Sequence, residues 1–141
     1  MIKFCIIDGQ GGGIGAAIIK KLREKFNESL DIIALGTNAI ATSQMLKAKA
    51  NRGASGENAI VQTVKHVDLI IGPIGIVMAN SMMGEVTPKM AESVSSSPAK
   101  KILLPLSQEN VEIVGTAAIP LPHLIDELIE KYLKEFDGVG V

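Results

Sequence analysis

The sequence predicts an α/β fold, a three-layer αβα sandwich around a mainly parallel sheet of about five strands. Three observations predict it. Short, almost wholly apolar runs recur along the chain, as expected of strands covered on both faces. Between them lie stretches whose apolar residues return every three or four positions, the pattern of helices with one buried face. Strand and helix therefore alternate, which parallel pairing with crossover connections requires.

The first run is Ile2 to Ile7, stopped by Asp8-Gly9, and it reads as the first strand. From Gly15 to about Asn27, Ile18, Ile19, Leu22 and Phe26 make one apolar helix face, with Lys20, Lys21, Arg23 and Glu24 between them. Asp31 to Gly36 is the second strand, and Thr37-Asn38 offers a cap for a helix over Ala39 to Ala50 that Arg52-Gly53 ends. After a loop Gly53-Ala-Ser-Gly56 comes a short helix, Glu57 to Lys65, and then a third strand, Val67 to Ile71, closed by Gly72-Pro73-Ile74-Gly75. Ile76 to Met83 is apolar and closed by Gly84. Thr87-Pro88 opens a helix with threonine as cap and proline in its first turn, and Ser95 to Pro98 breaks it. Lys101 to Leu106 and Val111 to Gly115 read as two more strands. The last helix presents Leu121, Leu124, Ile125, Leu128, Ile129, Tyr132, Leu133 and Phe136 on one face, with Glu127/Lys131 and Glu130/Lys134 one turn apart on its wet side.

A chain of 141 residues that is 47% hydrophobic has the length of one domain, expected over residues 1–141, and carries no repeat or linker. Its 14 basic and 15 acidic residues are scattered and nearly cancel, which disfavours nucleic acid and anionic membranes as partners. No apolar run approaches the roughly 18 residues of a membrane span, and the first residues lack the features of a signal peptide, so a cytoplasmic protein is expected. The lone Cys5 lies in the first apolar run and is expected to pack as a small buried hydrophobe. Histidine and cysteine do not cluster at the predicted strand ends, so no metal site is expected.

The richest signal is the turn after the first strand, Asp8-Gly9-Gln10-Gly11-Gly12-Gly13-Ile14-Gly15. In a strand-turn-helix unit, glycines allow a tight reversal, a close approach of the backbone to a ligand, and close packing of helix on strand. Amides freed at the helix start, at the positive end of its dipole, then suit a phosphate or carboxylate. The fold is therefore expected to be Rossmann-like and to bind a nucleotide or other phosphorylated metabolite. Ligands of open parallel sheets bind beyond the carboxyl ends of strands, which adds Gly36, Thr37, Asn38, Gly72, Pro73 and Gly75 to the turn as candidate binding residues. The stretch Pro105-Leu106-Ser107-Gln108 ends a further strand. Asn80, Ser81, Glu85 and Thr87 are polar groups that suit a cleft, with Glu85 a candidate general base, although a solvated loop explains them as well. The methionines of residues 74–83 suit a contact between subunits, hence a homodimer, or equally an ordinary core.

The glycines read either as G-x-G-x-x-G/A at Gly11, Gly13 and Ala16 or as G-x-x-x-G-x-G at Gly9, Gly13 and Gly15. The second spacing resembles the turn of the short-chain dehydrogenase/reductase family, including its Gly-Ile-Gly ending, over about a tenth of the chain. That resemblance implies NAD(P). The family's catalytic tyrosine and lysine are missing: the sole tyrosine, Tyr132, has Lys134 two places on, and the threonine that commonly begins the turn is Asp8. The acidic residue that should bind the ribose of NAD about 20 positions on is replaced by Gly36-Thr37-Asn38, and no neighbouring basic residue suits the extra phosphate of NADP. An oligomeric NAD(P)-dependent oxidoreductase is thus the alternative to a binding module, and a scaffold with an empty turn is a second alternative.

Over nearly its whole length the sequence resembles a bacterial family catalogued as a domain of unknown function, DUF3842. The resembling segments begin at Ile7 (IDGQGGGIG), Leu35 (LGTNA), Gly53 (GASGENA), Ile71 (IGPIGI), Ala79 (ANSM) and Ser97 (SPAKKI). The resemblance implies a Rossmann-like nucleotide-binding fold and brings no reaction with it.

Overall fold

Five parallel strands lie in the order β3-β2-β1-β4-β5 in the computed structural model, which describes residues 1–106 and 110–136. The strands are β1 (Lys3–Asp8), β2 (Asp31–Gly36), β3 (Arg52–Ser55), β4 (Leu69–Pro73) and β5 (Lys100–Leu104). Helices α1 (Gly13–Phe26), α2 (Ala39–Lys47), α3 (Glu57–Thr63), α4 (Pro88–Ser96) and α5 (Leu121–Glu127) alternate with them.

Side chains on successive strand residues point to opposite faces, and β1 supplies both cores of the sandwich. Phe4 and Ile6 pack with Ile18, Ile19 and Leu22 of α1 and with Ile125 and Leu128. Cys5 and Ile7 point the other way, into a second cluster with Ile60 of α3 and Met90 and Val94 of α4. All four are essentially inaccessible. This burial on both sides is why β1, β2 and β4 show unbroken apolar runs.

Local chemistry sets the helix starts. Asn38 caps α2 by accepting the N–H of Ala41 at 2.8 Å, and Thr87 caps α4 by accepting that of Met90 at 3.1 Å, with Pro88 in the first turn. At the end of α1 the guanidinium of Arg23 donates to the carbonyls of Asn27, Leu30 and Lys49 and to Oδ1 of Asn51, closing the loops around that helix end.

Three expectations are corrected. The segment expected to end a helix and then loop contains β3, pairing in parallel with β2 from Ile33↔Arg52 to Gly36↔Ser55. All four of its residues are exposed, so it is held by the ladder, by the ion pair of Arg52 with Asp31 at 2.8 Å and by Thr42 Oγ1 at 2.7 Å from Ser55 Oγ. The expected strand Val111–Gly115 is instead an exposed irregular segment with Val114 wholly exposed. Its β-branched residues have no neighbouring strand to pair with, and propensity without a ladder makes no strand. The last helix changes character after Glu127, continuing as one wide π turn over Leu128–Tyr132. The wide turn advances the register, so Leu133 is buried while Tyr132 is half exposed. Lys131 and Glu127 pair at 3.6 Å as expected, and the side chain of Phe136 lies outside the described residues.

Candidate functional site

The carboxyl ends of β1, β2 and β4 meet at the point where the strand order reverses, with β2 on one side of β1 and β4 on the other. Open parallel sheets place ligand crevices there. The structure brings together at this point the glycine turn, Gly36 at the end of β2 with Thr37 and Asn38 after it, Gly72 and Pro73 of β4, and Gly75 and Glu85 of the loop between β4 and α4. Ser107 and Gln108 lie outside the described residues.

Asp8 ends β1 and is buried at 3% exposure. Its Oδ1 accepts the N–H of Gly9 at 2.8 Å and its Oδ2 that of Gly15 at 2.7 Å. Burial pushes this carboxyl above the usual range, against the opposing pull of the Gly15, Gly9 and Ile14 amides and with a further rise from the charge of Glu85. The carboxylate is thus turned inward, and it satisfies donors at the start of α1 that the sequence leaves free for a ligand.

The remaining glycines divide into two groups. A Cβ on Gly9 would lie 2.6 Å from Met82 Sδ and Thr37 Oγ1, and one on Gly15 would lie 2.5 Å from Met45 Sδ. Gly12, with φ of 75°, donates to the carbonyl of Gly9 at 2.9 Å, and a Cβ there would lie 2.8 Å from the backbone of Ala41. These three make the turn and its packing. Gly11 and Gly13 differ. A Cβ on either would meet nothing within 4 Å, and their amides have no hydrogen-bond partner among the described residues.

Beside the turn, Asp8, Gln10, Ile14, Pro73, Gly75 and Met82 help line a cavity of about 30 Å³, room for about one water molecule. A larger groove of about 470 Å³ runs along the outer edge of β5 against α5, and no residue of the glycine turn lines it. The turn, placed where strand order reverses, makes the small cleft the candidate site despite its volume.

A family model described as Domain of unknown function (DUF3842) matches residues 3–137. The chain belongs to the DUF3842 family. No curated protein and no solved structure matches it.

In this DUF3842 chain Glu85 ties together the loops beside the cleft. Its Oε1 accepts the Gln10 amide at 2.8 Å, the Thr37 hydroxyl at 2.7 Å and the Asn38 side-chain amide at 2.9 Å. Desolvation raises the Glu85 carboxyl, but those three bonds outweigh it and hold the group below the usual carboxylate range. A depressed carboxylate that is already bonded three times is a weak proton acceptor, so the geometry makes Glu85 a tie across the cleft. Sequence reasoning singled out Glu85 but missed this contact, because 75 residues separate it from Gln10 and only the order of β1 and β4 brings them together.

The other polar candidates have structural partners. Ser81 donates to the carbonyl of Gly75 at 2.5 Å, the amide of Asn80 donates to the carbonyl of Val86 at 2.7 Å, and Thr87 donates to Glu57 Oε1 at 2.6 Å. Among the described residues no three His, Cys, Asp or Glu side chains are grouped to hold a metal ion, and no helix is long and apolar enough to cross a membrane.

Proposed function

We propose that this DUF3842 protein binds a nucleotide or a similar phosphate-bearing metabolite at the carboxyl ends of β1, β2 and β4. The observation that carries the reading is the pair Gly11 and Gly13, just before and at the start of a 14-residue helix: among the described residues their amides have no hydrogen-bond partner, and a Cβ on either would meet nothing within 4 Å. Phosphate oxygens fit on the amides of these two exposed glycines. The inward ones serve Asp8, which fixes the turn without meeting the phosphate. Gln10, Thr37, Asn38, Gly75 and Pro73 would surround the rest of the ligand.

A dinucleotide is the less favoured ligand. Its ribose hydroxyls belong at the end of β2, where an acidic residue should accept them and Gly36-Thr37-Asn38 stand instead. The oxidoreductase reading therefore has less support than a binding role in which the protein senses or carries its ligand. A cytoplasmic location agrees with the single thiol, Cys5, which is buried. The exposed apolar side chains of Met83 and Ile40 support a homodimer, which sedimentation would test.

A thermal-shift panel of NAD, NADP, FAD, ATP, GTP, S-adenosylmethionine and coenzyme A tests the binding role. A ligand present at about a hundred times its dissociation constant stabilises by about 2.7 kcal/mol. The expected result is a shift with at least one nucleotide that Gly13→Val removes while the fold survives. A flat panel, or normal binding by the variant, would refute the assignment.

A further inference from the structure

Three donors from two separate loops converge on one oxygen of Glu85: the Gln10 amide, the Thr37 hydroxyl and the Asn38 side-chain amide. Such a set is a seat for an anionic oxygen, and here the chain fills it from its own β4–α4 loop. That loop is conformationally costly, with Asn80, Met82 and Met83 at φ of 67°, 56° and 58° ahead of Gly84 at 88°. It presses Met82 against Gly9, and it leaves the cleft only about 30 Å³.

The geometry points to an autoinhibitory lid, in which Glu85 is a built-in competitor for the phosphate or carboxylate group of the ligand at Gln10, Thr37 and Asn38. This inference rests on the binding role proposed above. A ligand enters only after Glu85 leaves, so its apparent affinity is reduced by the fraction of molecules with the lid open. Strain in the loop eases that departure, and the flexible side chains of Met78 and Met82 can repack around an occupant.

The test joins hydrogen exchange to calorimetric titration with inorganic pyrophosphate, on the wild type, Glu85→Ala and the milder Glu85→Gln. Expected in Glu85→Ala are faster exchange at the Gln10 amide and pyrophosphate binding about tenfold tighter than wild type, with Glu85→Gln between the two. Unchanged exchange at Gln10 would overturn the lid, and so would equal or weaker binding by Glu85→Ala when the wild type binds. Faster exchange with no binding by any of the three proteins would remove the binding role, and the competition with it.

Discussion

The carboxylate of Asp8 reaches seven residues along the chain to accept the amide of Gly15 at 2.7 Å, while its other oxygen accepts that of Gly9. A negative group from the end of β1 thereby holds the start of α1 from inside the protein, where the helix dipole favours it. Asp8→Ala would leave buried donors without partners, each costing about 1–3 kcal/mol. A lower urea midpoint is expected for Asp8→Ala, and a smaller fall for Asp8→Asn, which keeps one acceptor oxygen. Equal stability of Asp8→Ala and wild type would mean that burying the charge cancels its bonds.

The two site carboxylates give opposite pH dependences. Glu85 titrates below its ordinary value of 4.5 in the folded protein, so its stabilisation is complete above that value and is lost as pH falls through the depressed one. Asp8 titrates above its ordinary 3.8, so the folded state holds its proton more tightly and stability declines as pH rises from 3.8 through the raised value. Denaturant unfolding between about pH 3 and pH 6 should therefore show acid sensitivity reduced in Glu85→Gln. In Asp8→Asn the acid sensitivity should grow steeper. Parallel profiles for all three proteins would contradict both assignments.

Glycines that look alike in sequence should respond differently to alanine. At Gly11 and Gly13 a methyl meets open space, and stability should stay within about 0.5 kcal/mol or rise slightly. At Gly12 the left-handed backbone and the nearby Ala41 oppose it, and at Gly72 the carbonyl oxygen of Ile7 does. Those two variants should lose about 1–3 kcal/mol. Thermal unfolding of the four single variants makes the comparison.

Cys5 is fully inaccessible, and burial pushes its thiol well above the usual range. Alkylation by iodoacetamide at neutral pH should be negligible in the folded protein and rapid in urea. Mass spectrometry before and after denaturation reads the difference, and fast labelling of the folded protein would place Cys5 outside the core.

Much of the fold was legible because burial writes itself into sequence. The runs at Phe4–Ile7 and Leu69–Ile71 are apolar since both sheet faces are covered, and Asn38 and Thr87 announce helix starts by their capping chemistry. Strand β3 was not legible, since Arg52–Ser55 is exposed and pairs through its backbone, which carries no residue signature. Val111–Val114 misled for the converse reason, having strand-forming residues and no partner. At the site, the turn was evident from its glycines. The inward use of Asp8 and the reach of Glu85 across the cleft depend on three-dimensional placement that local pattern does not encode.

The proposed ligand site stands or falls on phosphate binding by the amides of Gly11 and Gly13. Titration of ¹⁵N-labelled protein with inorganic pyrophosphate and with AMP, followed through the amide resonances, reads that binding residue by residue. Saturable shifts that are largest at Gly11 and Gly13, extend to Gln10 and leave Gly15 little changed are expected. Saturable shifts elsewhere with both glycine amides unmoved, or no shifts at millimolar ligand, would exclude these amides as the phosphate site.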